Sequence, residues 1–129
     1  MANPVRVWTS EHFEAGTKYP AARAVDRDLT VITQSDLSGS VIVRVYDLSS
    51  ATPSTVVFSN TVSVASVVFN SLQPWDVDDD GFNFRTAITS NNVSWEGGHT
   101  YRVSSLLPHT SQGYIPVVHD LKIRDLLSL

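Results

Sequence analysis

Residues 75–85 read WDVDDDGFNFR, with an Asp-Gly pair set between apolar residues. An Asp-Gly pair flanked by alternating apolar residues is the strongest short-range signal for a β-hairpin. A two-residue turn centred on Asp80 and Gly81 places Val77 opposite Phe84. Side chains alternate between the faces of a sheet, so the hairpin is predicted to have an apolar face and a wet face. The apolar face would comprise Trp75, Val77, Phe82 and Phe84, and the wet face Asp76, Asp78, Asn83 and Arg85.

The composition favours a single β-rich domain. The chain has 129 residues, of which 42% are hydrophobic and only 17% are charged. A domain of this length can bury a core without covalent staples. Serine, threonine and valine fill much of the chain, and β-branched side chains pack well on pleated sheets. Cysteine is absent, which excludes disulfide bonds, thiolate metal sites and a cysteine nucleophile together.

Short alternating segments, separated by turn residues, follow one another from residue 28 onward. This spacing predicts an all-β fold over residues 26–129, an antiparallel β-sandwich of immunoglobulin-like or jelly-roll type. Besides the two arms of the hairpin, the predicted strands cover residues 29–33, 40–48, 56–58, 61–69, 99–103, 114–119 and 121–124.

Residues 1–25 show no clear period and are predicted to form an extended N-terminal arm. The apolar residues of this arm must be buried either on their own domain or on a partner subunit, and leucines end the chain. Contiguous exposed apolar surface usually marks an interface. We therefore predict self-association, with a cyclic homotrimer as the first expectation. The predicted interface comprises Trp8, Phe13, Tyr19, Leu126, Leu127 and Leu129.

The distribution of charge and the lack of long apolar stretches argue against nucleic-acid and membrane partners. The formal net charge is -4, and the 9 Lys and Arg residues are scattered singly rather than clustered. Binding to nucleic acid depends on clustered basic side chains, so we expect no nucleic-acid partner. No stretch approaches the ~20 apolar residues of a membrane span, and the N-terminal sequence lacks the apolar run of a signal peptide. We therefore expect no membrane partner.

The sequence offers only one weak candidate for a metal site. Residues 76–81 match the first half of an EF-hand calcium loop, but Ala87 occupies the twelfth position, where a bidentate Glu is needed. Asp76, Asp78 and Asp80 therefore make at most a weak calcium site. The 4 histidines lack metal-ligand spacing, and nucleophile elbows and phosphate loops are missing. We expect no cofactor and no enzymatic activity.

Aromatic residues suggest two further hypotheses. Residues 97–103 resemble the run into a late strand of immunoglobulin-like sandwiches, where a tyrosine hydroxyl, here that of Tyr101, bonds to upstream backbone. Trp8, Trp75 and Trp95 would stack on sugars if they were exposed, which keeps a carbohydrate-binding module as an alternative function. Burial of Trp75 and Trp95, together with apolar arms, would instead favour a role in assembly.

Three patches carry a resemblance to a family: residues 43–48 (VRVYDL), 81–85 (GFNFR) and 98–103 (GHTYRV). Together they resemble small β-sandwich proteins encoded among the virion genes of tailed bacteriophages, and the likeness spans residues 33–103. It implies a non-enzymatic capsid decoration or cement protein that binds between capsid subunits, with the major capsid protein or other virion proteins as partners. The implied location is the virion, assembled in the host cytoplasm. A tail or baseplate component is the second expectation.

Overall fold

A computed structural model of the chain describes residues 6–125. The fold is mostly β, with 52% strand and 6% helix, which confirms the all-β prediction. The helical part consists of a 3-10 turn at Gln34–Asp36 and one short helix, α1, at Val64–Val67. The strands are β1 Val7–Phe13, β2 Ala21–Ala22, β3 Ser40–Asp47, β4 Val56–Ser63, β5 Val68–Gln73, β6 Phe82–Arg85, β7 Thr100–His109 and β8 Gly113–Arg124. Among the described residues, no helix is long and apolar enough to cross a membrane.

The strands form two sheets. One has five strands in the order β1-β8-β7-β3-β4, and the other has three strands in the order β2-β6-β5. The strand pairs are antiparallel except β1 and β8, which run parallel with Val7 opposite Val118 and Phe13 opposite Arg124. The prediction of a purely antiparallel fold is therefore wrong at this edge. A parallel pair cannot be closed by a hairpin, and here the two strands come from opposite ends of the chain.

The two sheets share one hydrophobic core. Along β3, alternate residues from Val41 to Asp47 are buried, and β7 and β8 repeat this alternation. Val68 and Phe84 of the smaller sheet belong to the same hydrophobic cluster as the β3 valines. Burying one such side chain contributes about 1.5–3 kcal/mol relative to leaving it exposed. The strands of the two sheets therefore supply most of the apolar burial that stabilises the fold.

The extended N-terminal arm is not confirmed. Residues 7–13 form β1 at the edge of the larger sheet, and residues 21–22 form β2 in the smaller one. Trp8 is only 8% exposed and packs against Trp75, with the ring centroids 5.3 Å apart. The irregular sequence pattern reflects short strands separated by bends. A domain boundary at residue 25 stays a prediction.

The predicted hairpin register is wrong. β6 pairs with β5 so that Phe84 lies opposite Val68, and residues 74–81 form the loop between these strands. Val77 is 58% exposed instead of facing Phe84. Asn83, which the alternation placed on the wet face, is fully buried. The Asp-Gly pair therefore ends a loop instead of centring a two-residue turn.

Candidate functional site

The loop at residues 74–81 is organised around the carboxylate of Asp78. Its Oδ1 accepts hydrogen bonds from Trp75 Nε1 at 2.7 Å and from the backbone N–H groups of Asp80 and Gly81 at 3.0 Å each. Arg23 Nη1 donates to the same carboxylate and lies 2.9 Å from Oδ2. These donors, the Trp75 indole first, hold the pKa of Asp78 well below its usual range. The side chain of Asp78 thus fixes the loop that replaces the predicted turn.

The same contacts involve the predicted calcium ligands. Arg23 forms ion pairs with Asp78 at 2.9 Å and with Asp80 at 3.9 Å. Its guanidinium therefore lies where a cation bridging these two carboxylates would have to bind. Calcium would have to displace Arg23 and compete with the donors that hold the loop together. We therefore propose no calcium site at Asp76, Asp78 and Asp80.

Gly81 ends this loop with a positive φ of 98°. A Cβ added there would lie 2.4 Å from the backbone oxygen of Gln73, whereas one added at Gly16, where φ is 91°, would meet nothing within 4 Å. We expect Gly81→Val to lower the free energy of unfolding by more than the ~1 kcal/mol of a typical substitution, and by more than Gly16→Val does. Urea denaturation of both variants measures the difference. Equal losses at the two glycines would contradict the close approach of Gly81 to β5.

A polar cluster connects β1, β8 and β2. Ser10 Oγ is 2.7 Å from His12 Nε2 and 2.7 Å from His119 Nε2, and His119 Nδ1 is 3.0 Å from the carbonyl oxygen of Ala21. A carbonyl oxygen only accepts, so His119 donates through Nδ1. In the neutral imidazole, Nε2 is then the acceptor, and it takes the hydroxyl hydrogen of Ser10. Three strands are thereby linked through side chains.

His119 is held in its neutral form. It is 7% exposed, and this burial lowers its pKa to about 4, although the hydrogen bond to Ala21 acts in the opposite direction. Burial also lowers the pKa of His12. A serine beside a neutral histidine has the atoms of a nucleophile and its base. Because the same hydrogen bonds tie β1 to β8 and β2, we assign the cluster a structural role.

A second cluster holds one histidine between two carboxylates. His99 Nδ1 lies 2.8 Å from Asp47 Oδ2, and His99 Nε2 lies 3.1 Å from Glu96 Oε2. Asp47 is the last residue of β3. Glu96 and His99 are the ends of a turn closed by the His99 N–H, which donates to the Glu96 carbonyl at 3.2 Å. Among the described residues, these three side chains converge closely enough to share a metal ion, with ligand atoms within 4.8 Å of one another.

Tyr101 fixes the backbone of the same turn. Its hydroxyl accepts a hydrogen bond from the N–H of Glu96 at 2.9 Å and donates to the carbonyl of Ser94 at 3.3 Å. The ring is 2% exposed and meets Trp95 edge-on, with the centroids 5.0 Å apart. The predicted contact between the Tyr101 hydroxyl and upstream backbone is confirmed.

The tryptophans pack inward. Trp8 and Trp95 are buried, and Trp75 is partly buried against Trp8 and Phe82. Lys18 places its Nζ 5.9 Å from the centre of the Trp95 ring. These rings therefore offer no open platform on which a sugar would stack. The condition for assembly is met only in part, because Trp95 is buried, Trp75 is partly buried and the apolar N-terminal arm is not confirmed.

The predicted interface residues fall into three groups. Trp8 belongs to the core and offers little surface to a partner. Phe13 and Tyr19 are 46% and 56% exposed, so their side chains are accessible. Outside the described residues lie Leu126, Leu127 and Leu129. The interface hypothesis therefore depends on Phe13 and Tyr19.

β4 is an exposed edge strand of the larger sheet. Its eight residues, VVFSNTVS, include no charged residue and no proline. Phe58 and Val62 are partly buried against the core, and the other residues of the strand are exposed. Natural edge strands are usually short or carry charges and prolines, because their free N–H and C=O groups can pair with another chain. β4 lacks charges and prolines, and its one irregularity is a bulge near its start, between the pairs Val56–Tyr46 and Phe58–Val45. The rest of the strand therefore offers a docking edge.

Sequence reasoning missed both histidine clusters. Asp47 and His99 are 52 residues apart, and Ser10 and His119 are 109 residues apart, so no short-range spacing indicates either pair. Two local signals were present. Ser10 and His12 are two residues apart and share a strand face, and Glu96 and His99 are three residues apart.

No family model, curated protein or solved structure matches the chain.

Proposed function

We propose that this chain is a non-enzymatic structural protein that binds other proteins on a phage virion, with capsid decoration or cement as its first role. The resemblance of residues 43–48, 81–85 and 98–103 to small virion β-sandwich proteins supports this role. The observation that carries it is the exposed, uncharged edge strand β4. A tail or baseplate position is the alternative, because the same edge would serve there.

We also propose that the two sheets form an immunoglobulin-like sandwich rather than a jelly roll. The order β8-β7-β3-β4 corresponds to the strand order G-F-C-C′ of variable-type immunoglobulin domains, and β2-β6-β5 corresponds to B-E-D. The hydroxyl contacts of Tyr101, near the start of β7, correspond to the tyrosine corner of strand F. In this sandwich β4 lies at the outer edge of the larger sheet, with one side open to a partner strand.

β4 would bind its partner by strand addition. Free N–H and C=O groups along a sheet edge pair with an extended segment of the partner, and side chains at alternate positions set the specificity. A strand laid on β4 would also cover Phe58 and Val62, which are only partly buried in the free protein. This added apolar burial favours the bound state. A capsid protein that offers an extended segment between neighbouring subunits is the partner that fits this edge.

Self-association is the second part of the proposal, with a homotrimer as the first hypothesis. The exposed aromatic residue Phe13 ends β1, which lies at the opposite edge of the larger sheet from β4. One edge is therefore open to other copies of the chain while the other edge contacts the shell. Light scattering should report an oligomer. A clean monomer at high protein concentration would contradict this part of the proposal.

Shell binding is tested by adding the purified protein to empty shells of the major capsid protein from the phage that encodes it. We expect the wild-type protein to cosediment at a fixed number of copies per shell. Thr61→Lys puts a charge on the exposed edge strand and should weaken this binding at least tenfold. Thr52→Lys is the matched control, because Thr52 is also exposed but lies in the loop between β3 and β4.

Two results would count against the proposal. Wild-type binding by the Thr61→Lys variant would exclude β4 as the docking edge. A wild-type protein that stays in the supernatant would contradict shell binding itself.

A further inference from the structure

We propose that His99 and Glu96 form a binding site for a zinc ion, with Asp47 as the positioning residue that orients the imidazole. The site lies where β3 ends, beside the turn that precedes β7. None of these three residues belongs to β4, the strand through which the protein is proposed to bind a shell.

A neutral His99 can donate a hydrogen bond to only one of the two carboxylates that it contacts, so the other contact requires a cation. A neutral imidazole has one N–H donor and one lone pair, whereas an ionised carboxylate only accepts. Both nitrogens of His99 face carboxylate oxygens, those of Asp47 at 2.8 Å and of Glu96 at 3.1 Å. One of the two contacts therefore needs a proton or a metal ion between nitrogen and oxygen.

The charge of the cluster favours a divalent ion. With a neutral imidazole the three side chains carry the two negative charges of their carboxylates. A proton on His99 leaves one negative charge uncompensated, whereas a divalent cation on the neutral imidazole balances both. Both carboxylates contact His99, so the imidazole is the group beside which a cation would be placed.

The Nε2 side of the imidazole is the side open to solvent. The side chain of Glu96 is 65% exposed and that of His99 is 28% exposed, but that of Asp47 is only 12% exposed. Oδ1 of Asp47 also accepts the backbone N–H of Ser49 at 3.0 Å. A metal ion on Nε2 can therefore keep water ligands. Asp47, on Nδ1, acts as the outer carboxylate that fixes the tautomer and raises the basicity of a metal-bound histidine.

The spacing and type of the donor atoms fit zinc. Tetrahedral zinc with bonds of about 2.0–2.2 Å to nitrogen and oxygen places neighbouring ligand atoms about 3.3 Å apart. Nε2 of His99 and Oε2 of Glu96 are 3.1 Å apart. A mixed nitrogen and oxygen donor set favours zinc over calcium or magnesium, which prefer oxygen ligands. The hydroxyl of Tyr101 already holds the backbone of Glu96 in place, so the ligand turn is ordered before binding.

Isothermal titration calorimetry of the full chain with zinc chloride tests the site. We expect one zinc ion per chain and no comparable binding of calcium or magnesium. Glu96→Gln removes a direct ligand at an exposed position. It should weaken zinc binding at least tenfold and leave the melting temperature of the zinc-free protein unchanged. Asp47→Asn should weaken binding by about 10–100-fold, the effect typical of losing an outer carboxylate.

Glu11→Gln is the matched control, because the Glu11 side chain is 62% exposed and pairs with Arg124 at 3.9 Å. This variant should bind zinc like the wild type. His12→Gln separates the proposed site from the cluster around Ser10 and should also bind normally. Zinc binding that survives Glu96→Gln unchanged, or that disappears in His12→Gln, would overturn the assignment.

Discussion

Asn83→Ala is expected to lower the free energy of unfolding by about 3–5 kcal/mol. Asn83 is fully buried in β6. Its Oδ1 accepts the N–H of Ala24 at 2.6 Å, and its Nδ2 donates to the carbonyls of Ala24 at 3.0 Å and Ile32 at 2.7 Å. The truncation leaves the N–H of Ala24 and the carbonyl of Ile32 without a partner, while the carbonyl of Ala24 still accepts the N–H of Ile32 at 3.0 Å. Each buried group left unpaired costs about 1–3 kcal/mol. One side chain thus ties two connecting segments to the smaller sheet.

Urea denaturation of the wild type and the variant measures this loss. Asn60→Ala is the control, because Asn60 lies on the exposed edge strand β4 and, within residues 6–125, its side chain bonds only to the next residue in sequence. We expect the control to change the free energy of unfolding by no more than about 0.5 kcal/mol. Similar small losses in both variants would mean that Asn83 does not hold Ala24 and Ile32 as described.

The second large effect is a loss of stability in mild acid caused by His119. Its pKa is 6.5 in an unfolded chain and about 4 in the folded protein, because burial penalises the charged imidazole. Above pH 6.5 the group is neutral in both states, and its stabilising contribution is fully present. As the pH falls from 6.5 to about 4, the unfolded state takes up the proton first. The free energy of unfolding should therefore fall by up to about 3 kcal/mol over this range.

Urea denaturation at a series of pH values between about 7 and 4 records this slope. His119→Gln, which carries no titratable group, should be less stable than the wild type at neutral pH but should show a much flatter slope. His12, whose pKa burial also lowers, faces the same serine and contributes in the same direction. A slope that His119→Gln leaves unchanged would show that other groups cause the acid sensitivity.

Features set by local alternation or by a local turn could be predicted from the sequence. The alternating residues 40–48 predict β3, which spans Ser40–Asp47, because β-branched residues at every second position fill a core face whichever strand pairs with them. The role of Tyr101 is equally local, since its hydroxyl reaches Ser94 and Glu96 a few residues upstream.

The loop that connects β5 to β6 could not be predicted, because hydrogen bonds to one side chain stabilise it in place of the two-residue turn. An Asp-Gly pair favours a two-residue turn. Here the Asp78 carboxylate accepts hydrogen bonds from Trp75, Gly81 and Arg23, and these bonds stabilise a longer loop. Gly81 keeps the positive φ that the motif favours, at the end of that loop rather than at the centre of a turn.

Burial of polar residues was the other feature that alternation could not predict. Asn83 occupies a position that the pattern assigns to solvent, yet the segments containing Ala24 and Ile32 cover that face of β6. An amide side chain satisfies the backbone groups of these segments, so the polar residue is favourable there. Each histidine cluster likewise contains one contact between residues distant in sequence, Ser10 with His119 and Asp47 with His99, and the three-dimensional fold is needed to find it.

The central proposal is that this protein binds an assembled shell through β4, and a cryo-EM reconstruction of particles from the encoding phage tests it most directly. We predict density for the domain at symmetry-related positions between capsid subunits, with β4 continued by a strand of a neighbouring shell protein. Density on the tail with the same β4 contact would select the alternative position. Particles that lack the domain altogether, or that contact it while β4 remains open to solvent, would contradict the account.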